Sequence, residues 1–277
     1  FKDNKNMRTL ALTLVAAFAA TSAFAEDTVT KTQTPVMGPV ISGEVSLDFA
    51  ETTNNNYGGT FNLDLGIDVD GLATVDLDFA VDENGNGSLD DWTVGTTVGA
   101  LGVAVGTDNG VMPATTANVA ADGTLAAPVM TESLAVTAGA ATVALGFTDW
   151  NTDIADISNV QGAYTLGVAG LDVTAAADFN LDTDNTVLGA GVGGLDLGLA
   201  SLGGAMTYDM DAEVFGYETV ATTGGLTAYL NGDDTNALQN IGGEYEVDVN
   251  GATLATGANY DVDAKDLTPT VSLSFNF

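Results

Sequence analysis

The strong polar chemistry available to this chain is almost entirely carboxylate. Thirty-eight Asp and Glu stand against five Lys and Arg, with no His and no Cys, for a formal net charge of −33. The missing Cys excludes disulfides, thiol nucleophiles and Cys-ligated zinc or iron–sulfur sites. The missing His excludes Ser-His-Asp catalysis, His metal sites and a histidine general base. Five basic residues cannot build the positive patch that nucleic acid requires. Three uses of carboxylate remain: carboxylate-only acid–base work, a hard-cation site, or a fixed negative field. A charge this lopsided often marks disorder. Here 45% of the 277 residues are apolar and only 16% are charged, so the chain has ample surface to bury.

One segment has the spacing of a hard-cation loop. Asp82-Glu-Asn-Gly-Asn-Gly-Ser-Leu-Asp-Asp91 matches D-x-N-x-N-G-x-x-D, the start of a calcium loop. Its ligands would be Asp82, Asn84, Asn86, the Ser88 carbonyl and Asp90. The twelfth position is Thr93 and not Glu, and the alternative is an ordinary polar hairpin loop of Asn, Gly and Asp. No cofactor is required; calcium at this loop is the one candidate.

The remaining acids recur with a period of two. Phe61, Leu63, Leu65, Ile67 and Val69 alternate with Asn62, Asp64, Gly66, Asp68 and Asp70. Leu171, Val173, Ala175, Ala177 and Phe179 alternate with Asp172, Thr174, Ala176, Asp178 and Asn180. Such patterns put one strand face in an apolar setting and the other in water. The polar faces include Glu44, Asp48, Asp64, Asp68, Asp76, Asp78, Asp172, Asp178, Glu244, Glu246 and Asp248. In a closed barrel these would line a channel with nothing positive to offset them, attracting cations and repelling anions. The plain alternative is that they are solvated surface charges.

Glycine turns punctuate the strands at Asp70-Gly71, Gly99-Ala100, Ala138-Gly139, Ala169-Gly170, Gly193-Gly194, Gly224-Gly225 and Asn250-Gly251. Every second connection is longer and more polar: Glu51 to Gly58, Asp82 to Asp90, Thr107 to Thr131, Trp150 to Ser158, Asn231 to Asn236 and Asp261 to Asp266. Short turns on one rim and long loops on the other describe a transmembrane antiparallel up-and-down β-barrel, all-β, of about sixteen strands. Weak alternation over Val214 to Thr222 leaves fourteen open. A secreted β-sandwich or β-roll would also alternate, but without alternating loop lengths.

The front of the chain reads as an export signal. Residues 1–6 precede Met7, Arg8 is a positive start, Leu10 to Ala20 is a short apolar stretch, and Ala23-Phe24-Ala25 is an A-x-A cleavage site. An uncleaved anchor or buried helix is the alternative for this stretch. The expected organisation is 1–25 upstream residues and signal, 26–39 N-terminal extension, and 40–277 barrel. Cleavage would leave Lys31 and Lys265 as the only basic residues and no arginine. No later run is apolar and long enough for a transmembrane helix, so a membrane form must be a closed barrel.

Over Val40 to Phe277 the chain resembles the Gram-negative general porins, the sixteen-stranded trimeric pores of the outer membrane. The final strand Val271-Ser-Leu-Ser-Phe-Asn-Phe277 resembles that family's C-terminal assembly signal, with Phe275 and Phe277 as its aromatics. Ile41-Ser-Gly-Glu-Val-Ser-Leu-Asp-Phe49 resembles the opening strand, and Asp70-Gly-Leu72 a periplasmic turn. The third long connection, Thr107 to Thr131, is the longest, and in this family the third loop folds inward to narrow the pore. The resemblance implies a passive diffusion pore for small hydrophilic solutes and ions, not an enzyme. It implies outer-membrane lipid and two further copies of the chain as partners. Asp108, Asp122 and Glu132 are the candidate constriction acids. Two features depart from the family: the loop lacks a Pro-Glu-Phe-Gly-Gly stretch, and no arginine is present to face its acids. A gap without aromatics between Trp92 and Phe147, rich in small residues, fits a subunit interface or a thin wall beside the infolded loop. The rival from another class is a secreted calcium-binding β-rich adhesin or surface-layer module.

Overall fold

The computed structural model describes residues 39–52, 56–69, 71–82, 86–107, 109–113, 130–148 and 156–277. The expected signal peptide and nearly all of the expected N-terminal extension lie outside the described residues. Sixteen strands run in chain order: β1 Val40–Thr52, β2 Asn56–Val69, β3 Ala73–Val81, β4 Gly87–Val98, β5 Leu101–Gly106, β6 Glu132–Ala138, β7 Ala141–Phe147 and β8 Ile157–Val168. They continue as β9 Leu171–Asn180, β10 Thr186–Asp196, β11 Ser201–Asp209, β12 Val214–Thr223, β13 Leu226–Asp233, β14 Asn240–Val249, β15 Ala252–Asp261 and β16 Asp266–Asn276. Each pairs antiparallel with its neighbours in sequence, and β1 pairs β16 to close the barrel. Closure leaves no free edge, which is what lets a sheet sit in a medium that offers no hydrogen bonds. The strand count is sixteen, because Val214–Thr223 pairs on both sides despite its weak alternation.

Closure is made by the C-terminus. Backbone hydrogen bonds run from Gly43 N to Phe277 O (3.1 Å) and from Phe277 N to Gly43 O (3.0 Å). A Cβ built at Gly43 would lie 2.7 Å from the Phe277 ring, so glycine makes room for that aromatic at the seam.

The tight turns sit where glycine supplies positive φ. Ala169-Gly170 (55° and 87°), Gly224-Gly225 (52° and 84°) and Asn250-Gly251 (57° and 87°) have both central residues left-handed. That turn continues the right-handed strand twist. One expected turn is corrected. Gly193 and Gly194 lie inside β10, at a register shift between Val192 and Leu195. The chain reverses instead at 197–200, where Leu197 N donates to Ala200 O and Gly198 has φ 81°. A glycine pair serves a bulge as well as a turn, so composition alone does not separate the two. At the third turn the reversal falls on Gly139-Ala140, one residue later than expected.

Several long connections are shorter than the sequence suggested. Thr52 pairs Asn56, Gly87 to Asp90 belong to β4, Ile157 and Ser158 belong to β8, and Asn231 to Asp233 belong to β13. Polar residues there continue the ladder, so polarity on both faces marks the end of the apolar band and not the end of the strand.

Candidate functional site

The inward face is fixed by the third connection, whose described part enters the barrel. Val111 N–H donates to Gln161 Oε1 of β8 at 2.8 Å. A Cβ built at Gly189 or Gly191 of β10 would lie 2.8 Å from Pro113. Gln161 is paired with Asp178, Asp178 with Val187, and Gly189 and Gly191 share the parity of Val187, so these residues point the same way. Following the register around the barrel carries that parity to every strand. Among strand acids whose side chains are described, only Asp90, in a bulge, and Glu132, at a strand end, depart from it. The opposite face carries Leu47, Phe49, Val94, Tyr164, Leu166, Leu188, Met206, Ile241, Tyr245, Val271 and Phe275, all exposed. Charge therefore lies inside and apolar surface outside, the reverse of a soluble protein.

The inward acids are not spread evenly. Glu44 is opposite Asp64, Asp64 opposite Asp78, and Asp78 opposite Asp91, so four carboxylates lie abreast on β1 to β4. Asp48, Asp68 and Asp76 share their face. Asp48 Oδ2 accepts from Asn62 Nδ2 at 2.5 Å and from Ser46 Oγ at 3.1 Å. A cavity of about 250 Å³ opens at this wall, lined by Asp64, Asp76, Asp78 and Asp91 among others. Glu244, Glu246 and Asp248 form a second inward group on β14, with only Gly257, Ala255 and Thr253 opposite them on β15. None of the sixteen strands holds a Lys or Arg, and Lys265 is the only basic residue among the described residues.

The other arc is closed. Ser133, Ala144, Gln161, Asp178, Val187, Ala205, Thr207 and Glu218 face inward from β6 to β12 and are all buried. Asp172 faces inward at the tight-turn end and is exposed. Asp178 thus shares the inward face with the other candidate pore-lining acids but, at 1% exposure, meets protein and not open space. Its two oxygens accept from Asn159 Nδ2 at 3.3 and 3.2 Å, and the Gln161 amide also bonds it. Ser133 Oγ donates to Gly106 O and accepts Asn109 N–H at 3.1 Å, tying the loop at its root. Met130 is buried beside Gly146 where the chain leaves the loop.

Of the candidate constriction acids, Asp108 and Asp122 lie outside the described residues. Glu132 is the first residue of β6 and pairs Phe147. Its parity is opposite to inward-facing Ser133, so it stands at the strand end and not in the loop. In the candidate calcium segment, Asn84 lies outside the described residues. Asp82 Oδ1 accepts Asn86 N–H and Oδ2 accepts Asn86 Nδ2, both at 2.8 Å. Ser88 and Asp90 sit in β4, with Ser88 Oγ donating to Asp90 Oδ1 at 2.5 Å. The expected assembly aromatics, Phe275 and Phe277, are both exposed at the seam.

Sequence reasoning passed over Asp91, Asn159, Gln161 and Glu218. Two signals were available: Asp91, Thr93, Gly95 and Thr97 alternate with Trp92, Val94, Thr96 and Val98, and Asn159, Gln161, Ala163 and Thr165 alternate with Val160, Gly162, Tyr164 and Leu166.

No family model matches the sequence, and neither does any curated protein. The fold does have solved relatives. A mutant of the porin of Rhodopseudomonas blastica aligns with a TM-score of 0.60 at 13% identity, covering 86% of this chain and 100% of that one. The Salmonella typhi OmpF, in complex with daunomycin, aligns at 0.58 and 9% identity, covering 86% and 97%. An OmpT loop-deletion mutant, an outer-membrane protein of Vibrio cholerae, aligns at 0.51 and 12% identity, covering 86% and 99%. The chain has the fold of the general porins: a closed antiparallel barrel of sixteen strands.

Proposed function

We propose that this chain is a passive diffusion pore of the Gram-negative outer membrane, admitting small hydrophilic solutes and ions and preferring cations. The carrying observation is the sorting of charge. Apart from Asp90 and Glu132, the strand acids whose side chains are described face inward, the exposed large apolar side chains of the strands lie mainly on the outward face, and none of the sixteen strands holds a basic residue. An exposed apolar band around a closed barrel suits lipid, where an outward Lys or Arg costs about 2–4 kcal/mol at mid-depth and an outward Asp or Glu costs less but is still disfavoured. Inside, carboxylates with no fixed counter-charge lower the potential, so cations are enriched and anions depleted before either reaches the narrowest point. The mechanism needs no catalytic residue and no cofactor; the protein supplies a wetted path and a field. Calcium held by the 82–91 segment would stand apart from this path.

The pore is expected to assemble as a homotrimer. In the gap without aromatics between Trp92 and Phe147, the strand residues of β4 to β7 are Val, Ala, Leu, Gly and Thr with few others, so their outward face suits protein contact more than a lipid interface that wants an aromatic girdle. Crosslinking in mild detergent tests this, and monomer alone would count against it. The pore reading is tested in planar bilayers under a potassium chloride gradient. A reversal potential favouring potassium is expected. A barrel that folds but favours chloride, or fails to conduct, overturns it.

A further inference from the structure

The closed arc poses a question that selectivity does not answer: what holds residues 109–113 of the third connection against the wall. Two sets of contacts meet it on β8 to β10. The first is a relay. Asp178 is almost fully buried, and both its oxygens act as acceptors for Asn159. An acceptor-only carboxylate demands donors, so the neighbouring Gln161 turns its amide NH2 toward it. The Gln161 carbonyl then points the other way, at the Val111 N–H, 2.8 Å away. Gln161 has no exposed surface, so water cannot take over either bond. The second is a floor. Gly189 and Gly191 leave a stretch of bare backbone on β10, and Pro113 lies on it. A side chain at either position would come within 2.8 Å of the proline ring. The ring is rigid and cannot swing aside as a long side chain would.

We propose that Gln161 and Asp178 are positioning residues which, with the Gly189 and Gly191 floor, clasp the Val111 to Pro113 segment of the third connection to one wall and so limit the pore's cross-section there. The proposal rests on the pore reading above and names the residues that set its width. It also accounts for two acceptors and two glycines that cation attraction leaves without a role. Among the described residues, Val111 to Pro113 meet β8 to β10 through one directional bond and one shape fit, in addition to the Ser133 bond to Asn109 at the root, and neither involves the exposed acids of the opposite wall.

The test combines conductance with crosslinking. Gln161→Leu keeps side-chain bulk but removes the acceptor. Loss of about one hydrogen bond's worth of net stability should raise the time spent in a wider, higher-conducting state about fivefold. A paired change, Pro113→Cys with Gly191→Cys, exploits a chain that contains no other cysteine. The built Cβ of Gly191 lies 2.8 Å from the Pro113 Cβ, within about 1 Å of disulfide spacing. Oxidation should form the bond, return the Gln161→Leu channel to the unmodified current, and release it again on reduction. A merely structural loss of barrel stability would not follow the redox state. A folded Gln161→Leu with unmodified current and noise overturns the proposal, as does a folded cysteine pair that does not crosslink. If Gln161→Leu does not fold, the crosslink yield in the otherwise unmodified chain decides. If the unmodified protein does not conduct, the pore reading fails, and crosslink yield still judges the clasp.

Discussion

Two arcs of one barrel use the same residue types to opposite ends. On β1 to β4 the inward carboxylates Glu44, Asp64, Asp78 and Asp91 lie abreast beside an open cavity. On β8 to β12 the inward carboxylates Asp178 and Glu218 are 1% and 4% exposed, Asp178 between the Gln161 and Gly189 positions that meet the third connection. An exposed carboxylate keeps its hydration and projects charge into solvent, where it acts on passing ions. A buried one must exchange water for amide donors, and what it then supplies is orientation. On the proposed reading, burial on the arc that meets the third connection, and not residue type, separates the two roles.

The largest expected effect breaks the comparison at the open arc. Replacing Asp64 and Asp78 together by Asn should lower the potassium-over-chloride permeability ratio severalfold, since each unit charge at about 4 Å in water is worth roughly 1 kcal/mol. The effect should be greatest in dilute salt and fade near 1 M, where the screening length is about 3 Å. Asp178→Asn should leave the reversal potential unchanged. Bilayer recordings across a series of salt gradients make the check. Equal effects at the two arcs would mean that the buried carboxylate is felt in the pore after all.

Stability should show the reverse ranking. Asp178→Ala strands the Asn159 and Gln161 amides in a buried place, which costs about 1–3 kcal/mol. Asp76→Ala, at an exposed position on β3, should stay within about 0.5 kcal/mol. Urea unfolding followed by the gel shift between folded and denatured barrel measures both. An Asp76 variant as damaged as the Asp178 variant would show that the open arc is packed and not merely lined.

The sequence carries the two arcs unequally. The strands were legible because a barrel wall imposes a strict period of two, and Phe61 to Asp70 or Leu171 to Asn180 display it without interruption. The parity of Asp64, Asp68, Asp172 and Asp178 follows from the same alternation. What parity cannot tell is whether an inward residue meets open space. Asp172 and Asp178 are six residues apart on one face, yet one is exposed and the other sealed, because the third connection crosses above Asp178. That crossing is made by Val111, Met112 and Pro113 against β8 and β10, contacts between residues at least 50 positions apart. No local pattern encodes them. The bulges at Asp78–Phe79 against Asp91–Leu89 and at Val192–Leu195 are hidden for another reason. Each inserts one extra residue into a run that otherwise alternates, so the period appears merely weak.

The smallest expected effect sharpens the comparison at its edge, where the open arc ends in the hairpin between β3 and β4. Asp82 closes that hairpin by accepting both the backbone and the side-chain amide of Asn86, and Asp82 N in turn donates to Asn86 O. These bonds are exposed, so Asp82→Ala should lower stability by no more than about 1 kcal/mol. The two carboxylate oxygens that a calcium ion would need are thereby engaged within the loop. Ser88 and Asp90, the later ligands of the calcium pattern, are held in the β4 ladder and bonded to each other. An ion would have to displace the Asn86 contacts before it could bind. The expected outcome is an equal melting temperature with chelator and with millimolar calcium, and an equal decrement for Asp82→Ala in both. A calcium-dependent rise that Asp82→Ala abolishes would instead assign the ion to this loop. The acids flanking the cavity would then have a fixed positive neighbour at the rim, and the cation preference of the open arc should weaken as calcium is added.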